Sequence, residues 1–246
     1  MARGYHGARH QGQAWRGGAR RKTWQAKGDG MKRIDMRTWS RREPYRYFSG
    51  MQWPYCSLTC EVTVTPARAF MKGRGIGSYL GMICLVAKAA NQVPELRLRI
   101  EDGDVCEHEV VHPSFTVQND SGRLAFCQAR YSEDPNEFLP LTRADMDRTK
   151  RLPEPPLQSA GNDRLYLSCL PWVHFTSVSH PMNMTPQDSI PRITWGRFQP
   201  KGDETVLAVD LLVHHGLADG AHMAQFMLKL EEFCAEPEKG FAGLRP

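Results

Sequence analysis

Apolar positions follow two rhythms along the chain. At residues 56–64 they alternate, with Leu58, Cys60, Val62 and Val64 on one face, as a half-buried strand requires, and Pro66 ends the run. At residues 79–93 Leu80, Ile83, Ala87 and Ala90 recur at helical spacing and the other sides are nearly all apolar too, which predicts a buried helix. Residues 96–100 and 105–108 predict two short strands joined by a hairpin-type turn at Glu101-Asp-Gly-Asp. Residues 110–117 and 123–131 continue the pattern around the turn Asn119-Asp-Ser-Gly. An exposed helix is expected over 133–151, closed by a surface loop at Pro153, Pro155 and Pro156. Further strands are expected at 165–169, 173–178, 193–198 and 205–214. The last helix, 219–234, places Met223, Phe226, Met227, Leu230 and Phe233 on one side and Gln225, Lys229 and Glu232 on the other, with Asp219 as its N-cap. A strand-rich middle with a few helices on one face predicts an α/β fold, a two-layer sandwich with a large mixed β-sheet flanked by helices.

At 246 residues the chain suits one core, since single cores stop growing at roughly 250–300 residues. The net charge of +5 first suggests an acidic partner. Residues 1–30, however, hold Arg3, Arg9, Arg16, Arg20, Arg21, Lys22 and Lys27 against Asp29 alone, a net +6, which leaves −1 for residues 31–246. The charge therefore belongs to a Gly-rich leader too polar to fold by itself, followed by a single, nearly neutral domain expected to begin at Met31. Trp15 and Trp24 among those cations would allow a nucleic-acid-binding tail, although an inert basic tail is the plainer reading. No stretch approaches the roughly 20 apolar residues of a membrane span, and the leader lacks the apolar core of a signal peptide. Seven cysteines (56, 60, 84, 106, 127, 169 and 234), odd in number and without a Cys-x-x-Cys pair, indicate reduced thiols and a cytoplasmic setting. Neither a disulfide framework nor a zinc site is indicated.

Two segments raise the question of chemistry. The glycines at 73, 75 and 77 could cradle a phosphate, but no strand directly precedes them and no acidic residue is placed for a ribose. The segment VLAVDLLVHHGLADGAHMAQF says more: a strand runs straight into His214 and His215, and Asp219 and Gly220 open a helix. A histidine at a strand end, followed four residues later by an acidic cap, is fixed in place yet can face a cleft. Neutral imidazole, with an ordinary pKa of about 6.5, accepts a proton near pH 7. The plain alternative is two partly buried histidines and a mere helix cap. A metal site would need His214, His215 and His222 to converge, whereas neighbours on a strand point to opposite faces.

His214-His215-Gly-Leu-Ala-Asp219-Gly220-Ala-His222 resembles the His-His-x-x-x-Asp-Gly-x-His motif of the trimeric chloramphenicol acetyltransferases. TWSRRE at 38–43, ELRLRIEDG at 95–103, VHPSFTV at 111–117, SCLPWVHFTS at 168–177 and ITWGRF at 193–198 resemble segments of the same family in the same order, so that the likeness spans most of residues 31–246. The His-His-x-x-x-Asp-Gly element alone is shared with larger acyltransferases and condensation domains; the other segments carry the specificity. The resemblance implies that His215 is the general base, that Asp219 is structural and pairs with Arg41, that Ser168 donates a hydrogen bond to a tetrahedral oxyanion, and that Thr194 assists through a bound water. It further implies acetyl-coenzyme A as co-substrate, no metal, Trp172 and Phe198 along the coenzyme channel, and Phe48, Val178 and His180 in the acceptor pocket. Its oligomer is a homotrimer with sites at subunit interfaces.

The chain departs from the family pattern at Leu212, Ala221, Val178 and His180. These changes leave the base and its support intact but alter the pocket lining, which puts the acceptor in doubt. The favoured expectation is direct acetyl transfer to a small-molecule hydroxyl in a ternary complex, with antibiotic resistance as the family association. An amine or endogenous alcohol as acceptor, and a catalytically idle trimer that only binds a ligand, are the competing readings.

Overall fold

A computed structural model describes residues 30–153 and 161–245. The basic leader, Trp15, Trp24, Pro155 and Pro156 lie outside the described residues. The chain opens with β1 (Met31–Arg33) and α1 (Arg42–Ser49), then β2 (Tyr55–Thr63), α2 (Thr65–Gly73) and α3 (Ser78–Asn91). A 3-10 turn (Pro94–Arg97) leads into β3 (Leu98–Glu101), β4 (Asp104–His108), β5 (His112–Gln118), β6 (Leu124–Gln128) and α4 (Pro135–Lys150). The last part holds β7 (Arg164–Cys169), β8 (Arg192–Trp195), β9 (Gln199–Lys201), β10 (Glu204–His214), α5 (Gly220–Ala235) and α6 (Pro237–Gly240).

A seven-stranded sheet runs β2-β10-β8-β7-β5-β6, with β9 paired to β10. It is mixed, because β5, β7 and β8 are parallel to one another and the remaining pairs are antiparallel. A three-stranded sheet, β1-β4-β3, stands beside it. The β3–β4 turn has positive φ at both Asp102 (51°) and Gly103 (87°), the backbone that matches the twist of a two-residue hairpin.

The alternation read from the sequence sets the two faces of the large sheet. Leu207, Val209, Leu211 and Val213 of β10 join Val62, Ile193, Trp195, Leu165, Leu167 and Phe115 in the main core. Helices α2 to α5 contribute Met71, the almost wholly buried α3, Phe138, Phe226 and Leu230 to that core. The opposite face of β10 carries Ala208, Asp210, Leu212 and His214, and these are buried as well.

Several elements differ from the sequence expectation. Pro66, read as the end of a strand, instead occupies the first turn of α2, where its missing N–H costs nothing and its fixed φ suits a helix. The strand expected at 96–100 begins only at Leu98, after the 3-10 turn. The helix expected to be exposed at 133–151 buries Phe138, Leu139 and Thr142 on its inner side. Residues 173–178 form no strand, because β7 and β8 pair directly in parallel and the chain between them serves as their crossover connection. The short elements β9 and α6 carried no usable period.

Phe226, fully buried between α5 and the sheet, tests the packing. Phe226→Ala should lower unfolding free energy by about 3–5 kcal/mol in urea titrations at fixed protein concentration. A loss below about 1 kcal/mol would contradict the burial.

Candidate active site

The chain leaves the sheet at His214, and the next five residues build a compact corner. The His215 amide donates to the Pro54 carbonyl at 2.7 Å, the last contact across to the segment before β2. The Leu217 and Ala218 amides both return to the His214 carbonyl, at 2.9 and 3.1 Å. Gly216 fits closely there, since a Cβ would lie 3.1 Å from Tyr45 Cα and 3.0 Å from His214 Cε1, tighter than ordinary contact.

The two histidines of the corner are held in opposite tautomers. His214 is buried between Tyr45 and Tyr55. Its Nδ1 accepts from the Gly216 amide at 3.2 Å, so its proton sits on Nε2, 3.2 Å from the Gln187 side-chain oxygen. Burial holds its pKa down to about 4. Both nitrogens are therefore engaged and the ring is neutral. His215 is half-buried, and its Nδ1 lies 3.3 Å from the Ala218 carbonyl, which can only accept. That contact places the proton on Nδ1 and leaves the Nε2 lone pair without a partner among the described residues. The Phe48 ring stacks on the imidazole with centroids 3.9 Å apart and planes 19° from parallel.

Asp219 fixes this corner from below. It caps α5 through the Ala221 amide at 3.0 Å and forms an ion pair with Arg41. The same Arg41 donates from its other terminal nitrogen to the His215 carbonyl at 3.3 Å. Burial acts to raise the Asp219 pKa, but the hydrogen bond and charge of Arg41, with His222 and the Ala221 amide, hold it below the ordinary value. His222 completes the cap, its Nδ1 3.2 Å from the Asp219 amide, and turns its Nε2 toward Glu95 at 3.4 Å. The three histidines of the motif thus face separate partners.

Ser168 and Thr194 lie elsewhere on the sheet. Cross-strand register puts Thr59, Asp210, Thr194 and Ser168 in one row over β2, β10, β8 and β7, on the face away from the helices. Asp210 and His215 are five residues apart, roughly 16 Å at the rise of a strand, so one chain does not bring His215 to Ser168 and Thr194. Over the row hangs the irregular segment 170–191. It carries half-buried Val178, and His180, whose Nε2 is 3.4 Å from Thr194 Oγ1 and 3.9 Å from Asp210 Oδ2. Burial and then the charge of Arg192 lower the His180 pKa, while burial raises that of Asp210 against the hydrogen bond from Thr59. Phe48 stands against His215. Trp172 is 74% exposed, and Phe198 packs against the edge of the core under the Arg68 guanidinium at 4.9 Å.

Sequence reasoning did not single out Asp210, Gln187 or the two tyrosines around His214. Asp210 did leave a signal, as the one charge inside the apolar run VLAVDLLV. Gln187 left none, because its role depends on how the segment 170–191 folds across the sheet.

The family model for chloramphenicol acetyltransferase matches residues 30–231. Chloramphenicol acetyltransferases 3 and 2 of Escherichia coli are 30% and 32% identical over 207 and 209 residues, which is 82% of this chain and 96% of each relative. A solved chloramphenicol acetyltransferase superposes with a TM-score of 0.75 at 27% identity, over 83% of this chain and 99% of that one. The Azotobacter vinelandii dihydrolipoamide acetyltransferase shares the fold alone, at a TM-score of 0.58 and 18% identity.

The ion pair makes a testable prediction. Asp219→Asn should cost about 1–3 kcal/mol of stability, the range of a charged hydrogen bond, because Arg41 would keep its charge without a counter-charge. Since the folded pKa of Asp219 lies below 3.8, its contribution is present above that pH and fades as pH falls through the lowered value. Unfolding of wild type and variant at pH 7 and pH 3 should therefore differ most at pH 7. An equal difference at both would contradict the pair.

Proposed function

The chain belongs to the chloramphenicol acetyltransferase family, and from that membership we propose that it transfers an acetyl group from acetyl-coenzyme A to an acceptor hydroxyl, with His215 as general base. It is an acyltransferase of the family's type. The observation that carries the assignment of the base is the tautomer lock: the Ala218 carbonyl keeps the proton on Nδ1 and leaves Nε2 free, whereas His214 has both nitrogens occupied.

In the proposed reaction Nε2 takes the acceptor proton while the oxygen attacks the thioester carbonyl. The negative charge moves to the carbonyl oxygen, where the Ser168 hydroxyl donates to it and Thr194 assists through water. Collapse expels the coenzyme thiolate, which recovers the proton from His215, and no acyl-enzyme forms. The base supplies about 10²–10⁴-fold and the oxyanion donor about 10² more. Phe48 keeps the imidazole plane fixed and shields it from water.

The roughly 16 Å between His215 and the Ser168–Thr194 row is the argument for a trimer in which the base of one copy meets the oxyanion donors of the next. Tyr47, Met51 and Trp53 near Phe48, and Trp172 and Val173 beyond β7, are large apolar side chains left exposed on the single chain, which supports coverage by neighbouring copies. For the coenzyme, Trp172 and Phe198 offer aromatic surface. Beside Phe198 a cleft of about 440 Å³, lined by Arg68, Lys72, Thr65, Ser78 and Thr205, suits an anionic tail. All seven cysteines are free, and no described helix is long and apolar enough to cross a membrane.

Two measurements test this. His215→Ala and Ser168→Ala proteins should each lose transfer while still binding coenzyme. Denatured and refolded together, they should recover roughly a quarter of wild-type activity, because a random trimer pairs an intact base with an intact serine at one interface in four. No recovery would overturn the shared site. In the second, chloramphenicol should be a poor acceptor, with kcat/KM below roughly 10⁵ M⁻¹s⁻¹, because Val178 and His180 have changed the pocket while the base is kept. Efficient turnover would make this chain a resistance enzyme.

A further inference from the structure

The stretch Lys72-Gly-Arg-Gly-Ile-Gly-Ser78 ends α2, leads into α3, and supplies part of the wall of the cleft beside Phe198, with Thr65 and Arg68 of α2. A Cβ at Gly73, Gly75 or Gly77 would meet nothing within 4 Å, so close packing does not account for these glycines, and each leaves the backbone freer to move. At nine residues α2 is below the roughly 12–15 at which a helix begins to hold itself together in water. Ala67 and Met71 anchor its inner side in the core. The end of the chain holds its outer side. Residues 237–245 lie past the stretch 30–231 that matches the family model, and they reach three helices. Phe241 is buried and stacks on Phe70 of α2, with centroids 5.3 Å apart and planes 10° from parallel. Arg74, which caps α2, lays its guanidinium 5.3 Å from the Phe70 ring and donates to the Arg245 carbonyl at 3.3 Å. Lys88 of α3 donates to the Lys239 carbonyl at 3.1 Å. Asn136 of α4 grips the tail twice, donating to the Gly243 carbonyl at 2.8 Å and accepting from the Arg245 amide at 2.9 Å.

We propose that residues 237–245 form a strap that sets where α2 and its glycine loop stand, and so holds Arg68 and Lys72 in place for the phosphate-bearing end of the coenzyme. The proposal rests on the reading of that cleft as the coenzyme's anionic site and adds what fixes the site. Arg68 shows why the position of α2 matters. Its guanidinium lies over Phe198 and donates to the Thr205 hydroxyl of β10 at 3.2 Å, so it spans the cleft from helix to sheet, and a shift of α2 breaks that bridge. Cations held in place before the ligand arrives bind it without the cost of ordering them afterwards. Phe241 is a positioning residue, acting on the cleft only through Phe70.

Calorimetric titration of the full chain with coenzyme A tests the strap at about 10 mM and about 1 M salt, where charges act over roughly 30 Å and 3 Å. Phe241→Ala should bind about tenfold more weakly than wild type at the low salt, the lower end of what a hydrogen bond to a charged group contributes, and nearly as well at the high salt. A merely destabilised variant that is still folded would show no such dependence on salt. Asn136→Ala, which leaves the aromatic stack in place and lies on a different helix, should weaken binding in the same way by about threefold, and it decides the matter if Phe241→Ala does not fold. In amide hydrogen exchange, the Arg74, Gly75 and Ile76 amides, which close the end of α2 onto Phe70, Lys72 and Met71, should exchange faster in either variant, with the β10 amides as in wild type. Wild-type affinity at low salt, equal weakening at both salts, or unchanged exchange at those three amides overturns the strap while the coenzyme reading stands. Wild type that binds no coenzyme A at either salt overturns the reading of the cleft, and the strap's role in it as well.

Discussion

The ion pair between Arg41 and Asp219 joins residues 178 positions apart and carries the corner on which the candidate base stands. Arg41 enters α1 and Asp219 caps α5, so the pair ties the start of the domain to its last long helix. Because Arg41 also donates to the His215 carbonyl, the position of this candidate base depends on the same side chain. The guanidinium is 12% exposed and the carboxylate 34%, which places the pair where water screens it only partly and a missing partner is felt.

Within that frame the backbone decides which histidine can act. His214 continues the strand, so its ring turns into the sheet face among Tyr45, Tyr55 and Gln187, and burial makes its charged form unfavourable. His215 is the first residue past the strand. Its ring therefore turns out over Phe48, with one nitrogen tied back to the Ala218 carbonyl of its own corner. Gly216 suits both outcomes, since a Cβ there would press on Tyr45 and the His214 ring at 3.0–3.2 Å.

The large sheet has one apolar face and one mixed face. The helix side is filled by alternate residues of six strands and by α2 to α5, an ordinary hydrophobic core. The other side carries the polar row Thr59, Asp210, Thr194 and Ser168, covered by a segment without regular structure. Covering polar groups with a loop allows side chains such as His180 and Gln187 to be placed individually, which a helix, with its fixed spacing, does less freely. The division leaves a hydrophobic core on one face and individually placed polar side chains on the other.

The sequence by itself determined the periodic parts. Alternation in β2 and β10, the buried α3 and the one-sided α5 were legible because a strand or helix against a core must repeat its apolar residues at a fixed interval. The motif residues His215, Asp219 and Gly220 were legible for a similar reason: a strand end, a corner and a capped helix are local structures. Only the tertiary structure decided what depends on contacts between distant segments. It set the Arg41–Asp219 bond, the opposite tautomers of His214 and His215, the course of residues 170–191 across the sheet, the seating of Asp210 under His180, and the separation of His215 from Ser168 and Thr194. None of these leaves a period in the chain, because each is fixed by register and packing between residues that are neighbours only after folding.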